Sequence, residues 1–292
     1  MNIVRFRGGL GNQMFQYALF KRLQQTDGET YMDLSNFQVD TKRNFILDKV
    51  FPSISKKEVS TVIWEQLMEK STDRTLWRKG INKLFPKTRN IFYEEEDGVF
   101  DSSVLKQKNK IIDGYWQTEK YWKDIEKIVR QEFIFTQTKD DGLKKCLNLI
   151  QQSGCSASIH IRRCDYLEEV GTYGDICTEK YYFDAIDILN RETNCADVSY
   201  FVFSDDIKWV QENMKIRNSY YIRPVMFDDY QDWYDMLLMS HCKHNIIANS
   251  SFSWWAAWLN ANKEKCVISP SKWDNRSNTN DIWCKGWHKV NV

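Results

Sequence analysis

Three short stretches concentrate side chains that handle anions and hydroxyl groups. SIHIRRCDY (158–166) carries His160, Arg162, Arg163 and Asp165; FVFSDD (201–206) carries Ser204, Asp205 and Asp206; NIIANSSFSWW (245–255) carries Asn249, Ser250 and Ser251. A guanidinium is a rigid fork of donors suited to phosphate oxygens. Hydroxyls that open a helix add N-terminal backbone N–H groups. Arg162, Ser250 and Ser251 together would make a diphosphate cradle. Asp205 or Asp206 nearby would accept two N–H bonds from a guanine edge or hold a ribose hydroxyl.

Taken singly, each stretch has a plain structural explanation. Arg-Arg-x-Asp after a strand makes a salt bridge, and surface pairs of that kind add little stability. SDD and NSS before a helix are N-caps, with acidic residues at the positive end of the dipole. The grouping is the stronger signal, because each stretch ends a strand in a pattern of strands spaced by helices.

That pattern reads SASIHI (156–161), a helix over 178–191, YFVFS (200–204), a helix over 206–214, SYYI (219–222), a helix over 231–241, HNIIA (244–248), a helix over 252–261 and CVIS (266–269). Strands alternating with helices predict a parallel, doubly wound sheet, and such sheets bind ligands outside the carboxyl ends of their strands. Within IHIRR the period of two places His160 and Arg162 on one side, sharing a cleft, and Ile159 and Ile161 on the other.

The first half opens with a strand (IVRF, 3–6), the turn RGGLGN and a helix in which Phe15, Ala18, Leu19 and Leu23 recur at helical spacing. The loop with Gly8, Gly9, Gly11 and Asn12 has neither G-x-G-x-x-G nor Walker A spacing. It brings backbone close to something at a helix N-terminus, or is simply a tight turn; the Asn12 amide is the part a turn does not require. From 35 to 145 the pattern is mostly helical, broken at Pro52 and Pro86. QQSGCSAS (151–158) marks the boundary between residues 1–150 and 151–292, and two Rossmann-like lobes around a cleft are the expected α/β architecture.

Composition excludes several classes. With 41 Lys plus Arg against 40 Asp plus Glu the net charge is +1, giving no overall attraction to nucleic acid. No stretch approaches the roughly 20 apolar residues of a membrane helix, and the opening MNIVRFRGGLGNQ has no apolar h-region, so a cytoplasmic chain is expected. The eight cysteines include no C-x-x-C pair, which predicts free thiols rather than disulfides or zinc. HCKH (241–244) lacks a second ligand pair, and adjacent aspartates such as Asp228 and Asp229 point apart, so no metal site is expected. Residues 64–89 form a basic amphipathic stretch that either packs on the core or touches an anionic membrane face. Twelve tryptophans suit a core and also the stacking faces of a sugar site.

GGLGNQMFQYAL, IHIRRCDY, FVFSDD and HNIIANSSFSWWAAWLN, in this order and joined by GYWQTEKYW (114–122), resemble the bacterial α-1,2-fucosyltransferases of glycosyltransferase family 11 from residue 2 to the last strands. Two positions depart from the family pattern, with Cys164 and Ala256 where glycine is usual. The resemblance implies a GT-B fold of two facing Rossmann-like domains, the second holding GDP-fucose. It implies inverting transfer of L-fucose to O2 of a galactose, in surface polysaccharide (O-antigen) synthesis on a lipid-linked acceptor at the inner membrane, with no metal required. It also implies Arg162 on the β-phosphate with Arg163 in support, His160 and Asp205 or Asp206 on ribose and guanine, and Ser250 and Ser251 on the diphosphate. Gly11 and Asn12 would reach the donor from the first domain, and Tyr115, Trp116 and Trp122 would shape the acceptor site. Asp165, with Glu168 and Glu169 behind it, is the candidate base for the attacking hydroxyl, or else the carboxylate that orients Arg162 or Arg163. Two alternatives stand beside this reading: transfer from another GDP-sugar such as GDP-mannose, and a nucleotide-sugar or glycan-binding protein without turnover.

Overall fold

SASIHI alternates Ser156, Ser158 and His160 with Ala157, Ile159 and Ile161, yet all six residues are buried, as in a parallel strand covered on both faces. The structure is a computed structural model that describes residues 1–27, 29–64, 90–169, 171–193, 195, 197–276 and 281–292. The basic stretch 64–89 lies, apart from Trp64, outside the described residues. Two units emerge, Met1–Thr136 with Asn280–Ile282, and Gln137–Thr279 with Trp283–Val292.

The first unit is a parallel sheet of β1 (Asn2–Arg5), β2 (Thr30–Asp33), β3 (Ile91–Tyr93) and β4 (Lys110–Asp113), in the order β2-β1-β4-β3. Three of these four strands, β2, β3 and β4, fall where no strand or a mostly helical pattern was expected. They are three or four residues long, too short to display a period of two. The helix Leu10–Asp27 buries Phe15, Ala18, Leu19 and Leu23 as its spacing predicts. It also buries Gln13 and Gln16 completely. Gln13 Nε2 donates to the carbonyls of Gly8 (3.0 Å) and Asn44 (2.8 Å), and Gln16 Oε1 accepts from the Arg7 amide (3.0 Å). These bonds fasten the glycine turn to its helix. Gly8 sits at φ +81°, and a Cβ there would lie 2.7 Å from Asn12 Nδ2, so the turn needs glycine at that position.

The second unit is a six-stranded parallel sheet of β5 (Ser156–Ile161), β6 (Ser199–Ser204), β7 (Ser219–Tyr221), β8 (His244–Ile246), β9 (Val267–Pro270) and β10 (His288–Val290), ordered β10-β9-β8-β5-β6-β7. Numbered from β5, this is the 3-2-1-4-5-6 order of a dinucleotide-binding Rossmann sheet. The chain winds outward from β5 through β6 and β7, then crosses to β8 on the other side, so the topological switch point lies between β5 and β8. Ala157, Ile159 and Ile161 pack with Val202, Ile246 and Ile268 on one face. On the other, Ser158 Oγ accepts from Asn245 Nδ2 at 2.8 Å. Two units, each on a parallel α/β sheet, match the GT-B-like fold class.

The junction falls between Thr136 and Gln137 rather than at 150/151. The helix Asp141–Gln152 belongs to the second unit because its first turn is tied there. Asp140 caps Leu143 (2.8 Å) and accepts the Asp229 amide (2.9 Å), and a Cβ on Gly142 would strike the Met226 carbonyl at 2.0 Å.

The expectation of eight free thiols is corrected. Cys155 and Cys195 form a disulfide, with Cα atoms 6.1 Å apart; Cys146, Cys164, Cys177, Cys242, Cys266 and Cys284 are free. The pair is 40 residues apart in sequence, and only the return of the chain from helix Glu179–Glu192 to β6, beside β5, brings the two together. Among the described residues no helix is long and apolar enough to cross a membrane.

Candidate functional site

The exits of β5 and β6 are adjacent because the two strands pair in register, Ile161 opposite Ser204. Arg162 and Arg163 therefore emerge beside Asp205 and Asp206. Asp205 uses both oxygens: Oδ1 accepts the Arg163 amide at 2.9 Å and Oδ2 lies 3.3 Å from Arg162 Nη1. Asp206 takes Arg163 Nε at 3.3 Å and caps the helix Ile207–Asn213 by accepting the Trp209 amide. Salt bridge and N-cap are thus both present. The Arg163 guanidinium carbon lies over Trp209, 3.3 Å from the ring centroid, so a cation–π contact holds it as well as the ion pair.

Against this edge lies a cavity of about 230 Å³ whose wall includes Arg162, Arg163, Tyr166, Trp209, Tyr182 and Asn249. It sits at the carboxyl ends of β5 and β8, where the strand order reverses. Its lining sets apolar and aromatic side chains, among them Ile161, Trp209 and Met214, beside Arg162, Arg163, Asp175 and Glu179, a combination suited to a flat ring carrying polar groups.

His160 does not share the cavity with Arg162. Its side chain is buried on the opposite face of β5, its ring centroid 5.8 Å from that of Phe252, and Nδ1 has no partner. Burial, with Arg162 adding to it, pushes its pKa down to about 3, so the imidazole is neutral. The alternation of side chains along β5 holds; Arg162 lies past the last strand residue, where alternation no longer dictates direction.

Ser250 is the extended residue before helix Ser251–Leu259, with φ −131°, and its hydroxyl makes no cap bond. Ser251 opens that helix and is half-buried. Asn249 is a structural residue here, every polar side-chain atom being taken by protein. Asp165 lies in the helix Cys164–Glu168, and its side chain is outside the described residues. Glu168 and Glu169 are exposed. Of the two departures from the family pattern, Cys164 is exposed with Sγ 3.4 Å from the Asp205 carbonyl, and Ala256 is buried in its helix. Neither intrudes on the cavity wall.

In the first unit, Gly11 is buried and Asn12 half-buried, its Oδ1 accepting from Gln117 Nε2 at 2.9 Å. The acceptor assignment is corrected for two of three aromatics. Trp116 and Trp122 are fully buried: Trp116 stacks on Phe92 (6.2 Å) and Trp122 packs on Phe15 (5.6 Å), so both are core. Tyr115 keeps a partly exposed ring, with the Arg7 guanidinium 4.7 Å from its centroid. Glu94, which sequence reasoning passed over, holds this turn by accepting the amides of Tyr115 (2.6 Å) and Trp116 (3.0 Å). Burial pushes its pKa up to about 7.

Trp209 and Tyr166 were also missed. Trp209 lies three residues after Asp206, the spacing of an N-cap partner, so its helix position was visible in the sequence; its contact with Arg163 was not.

Comparison with known proteins places the chain in a family. The model for glycosyl transferase family 11 matches residues 1–291, and the chain belongs to that family. An α-1,2-colitosyltransferase of Escherichia coli is 32% identical over 96% of this chain and 94% of its own length. The O-antigen biosynthesis glycosyltransferase WbnK, also of Escherichia coli, is 32% identical over 96% of this chain and 97% of its own. A galactoside α-(1,2)-fucosyltransferase 1 of Saimiri boliviensis boliviensis is 24% identical over 86% of this chain and 63% of its own.

Proposed function

We propose that the protein is an inverting galactoside α-1,2-fucosyltransferase, moving L-fucose from GDP-β-L-fucose to O2 of a galactose in a surface glycan such as O-antigen. The observation that carries this reading is the pair of Arg–Asp bridges at the β5 and β6 exits, set over a cavity at the switch point of a Rossmann sheet. The α-1,2 linkage in the names of two relatives, and the O-antigen role in the name of a third, support it.

The residues support a mechanism without a metal ion. As the bond from the sugar to the diphosphate breaks, negative charge grows on the leaving phosphate. Arg162, held by Asp205, is a fixed positive partner for it, and the hydroxyls of Ser250 and Ser251 with the Ser251 amide at a helix N-terminus are donors to it. Arg163, lying over Trp209, holds its charge beside them. Asp165 removes the proton from the attacking hydroxyl. Tyr115 is the aromatic face offered to the acceptor. The second unit is then the donor domain and the first the acceptor domain.

A second donor is favoured by one observation, the colitosyl group in the name of a relative at 32% identity. The test measures GDP release from purified protein with EDTA present, supplying GDP-fucose with and without lactose or N-acetyllactosamine. Acceptor-dependent release is expected. Release only with a different GDP-sugar would overturn the fucosyl donor, and loss of turnover in EDTA that added metal restores would overturn the metal-free mechanism. Tight GDP binding without turnover on any acceptor would overturn the enzyme reading.

A further inference from the structure

The cavity wall comes from loops that are far apart in sequence, and one side chain joins them. Asn249, at the exit of β8, is 1% exposed. Its Nδ2 donates to the carbonyls of Tyr173 (3.1 Å) and Trp273 (3.0 Å), and its Oδ1 accepts from Cys177 Sγ (3.4 Å). Its own carbonyl accepts from Tyr166 Oη at 2.9 Å. A primary amide is the one side-chain group that offers two donors and an acceptor in a plane. Aspartate lacks the donors, serine the reach, and glutamine would need another methylene of room.

We propose that Asn249 is a positioning residue of the donor site, its side-chain amide spent on protein partners and setting the aim of Arg162 through the stacked pair Tyr166 and Tyr173. The two rings lie 5.5 Å apart at 25°, and Asn249 holds both, one by its hydroxyl and the other by its carbonyl. The Arg162 guanidinium rests 5.8 Å from the Tyr166 ring centroid. The same amide ties in the loop after β9 at Trp273, so the exits of β5, β8 and β9 are linked through one side chain. The inference rests on the reading of this cavity as the site for a GDP-sugar.

Asn249→Asp keeps the shape, removes both donors and sets a carboxylate against two carbonyl oxygens. Titration calorimetry with GDP, and kcat and KM for donor and acceptor, are measured on the full chain. The donor KM and the Kd for GDP are expected to rise about tenfold, with the acceptor KM within twofold of the parent. A residue that only supports folding would reduce the active fraction, lowering kcat at unchanged donor KM; that result overturns the proposal. Should this variant not fold, Tyr166→Phe removes one bond and keeps the ring. A threefold rise in donor KM at unchanged Tm is then expected, and an unchanged donor KM overturns the proposal. If the parent protein itself fails to bind GDP, the donor reading falls and the role of Asn249 with it, an outcome distinct from a variant that binds like the parent.

Discussion

Both sheets carry paired arginines and aspartates at the carboxyl ends of their strands, yet the two edges differ in what the pairs can still do. In the first unit Arg5 bridges Asp33 (3.0 Å) and Asp113 (2.8 Å), and Arg7 reaches the other oxygen of Asp113 (3.1 Å); the two carboxylate side chains are 1% and 7% exposed. In the second unit the pairs are longer, 3.3 Å each, and Asp205 and Asp206 are 20% and 35% exposed. A buried pair that loses one member strands the other charge, whereas a partly solvated pair can exchange one anion for another at little cost. The first edge is a fastener, and the second is the one at which the proposed donor site lies. Residue types alone do not tell them apart; burial of the carboxylate does.

The largest expected effect separates the two edges directly. Arg162→Ala should lower kcat/KM at least a hundredfold with Tm nearly unchanged, whereas Arg5→Ala should cost about 3 kcal/mol of stability by orphaning buried aspartates. Steady-state kinetics and thermal unfolding of both variants check this, and a stable, fully active Arg5→Ala would break the comparison. Next in size is the disulfide. Cys155→Ser removes a cross-link across 40 residues, which the chain-entropy argument values at roughly 4 kcal/mol. Urea unfolding should lose that stability in the second unit alone.

The smallest effect is the dependence of stability on pH. Burial raises the pKa of Asp235 to about 7, with only the Tyr230 side chain to favour its charged form. The unfolded chain gives up that proton near 4, so stability should fall as the pH rises from about 4 to 7. His160 acts in the opposite sense: its folded pKa is depressed to about 3, so stability should fall as the pH drops below 6.5. Asp235→Asn should raise the urea midpoint at pH 8 more than at pH 5, and equal shifts at both would contradict the assignment.

The second half of the chain was legible because its strands are long enough to alternate and end in polar clusters that sheet topology brings together. SASIHI and FVFS needed no tertiary information, and helices Glu179–Glu192 and Trp233–His241 fall within two residues of their expected limits. The first half was not, since a strand of three residues such as Ile91–Tyr93 carries no period. Alternation separates His160 from Ile159 and Ile161, but the cleft expected for it with Arg162 is closed by Phe252, which comes from a helix far later in the chain. Trp116 and Trp122 fit a sugar site by residue type, and only burial assigns them to the core. The pairing of Cys155 with Cys195 depends on β5 lying beside β6, which no spacing of cysteines encodes.

Because the disulfide joins the start of β5 to the loop after helix Glu179–Glu192, the two arginines and the wall residues 161–182 lie inside a covalent ring. Pulled from its two ends, the chain would bypass this ring, leaving roughly 130 Å of contour folded away at full extension. A single-molecule force trace would register the second half as shorter than its sequence until a reducing thiol opens the ring and releases that length in one step.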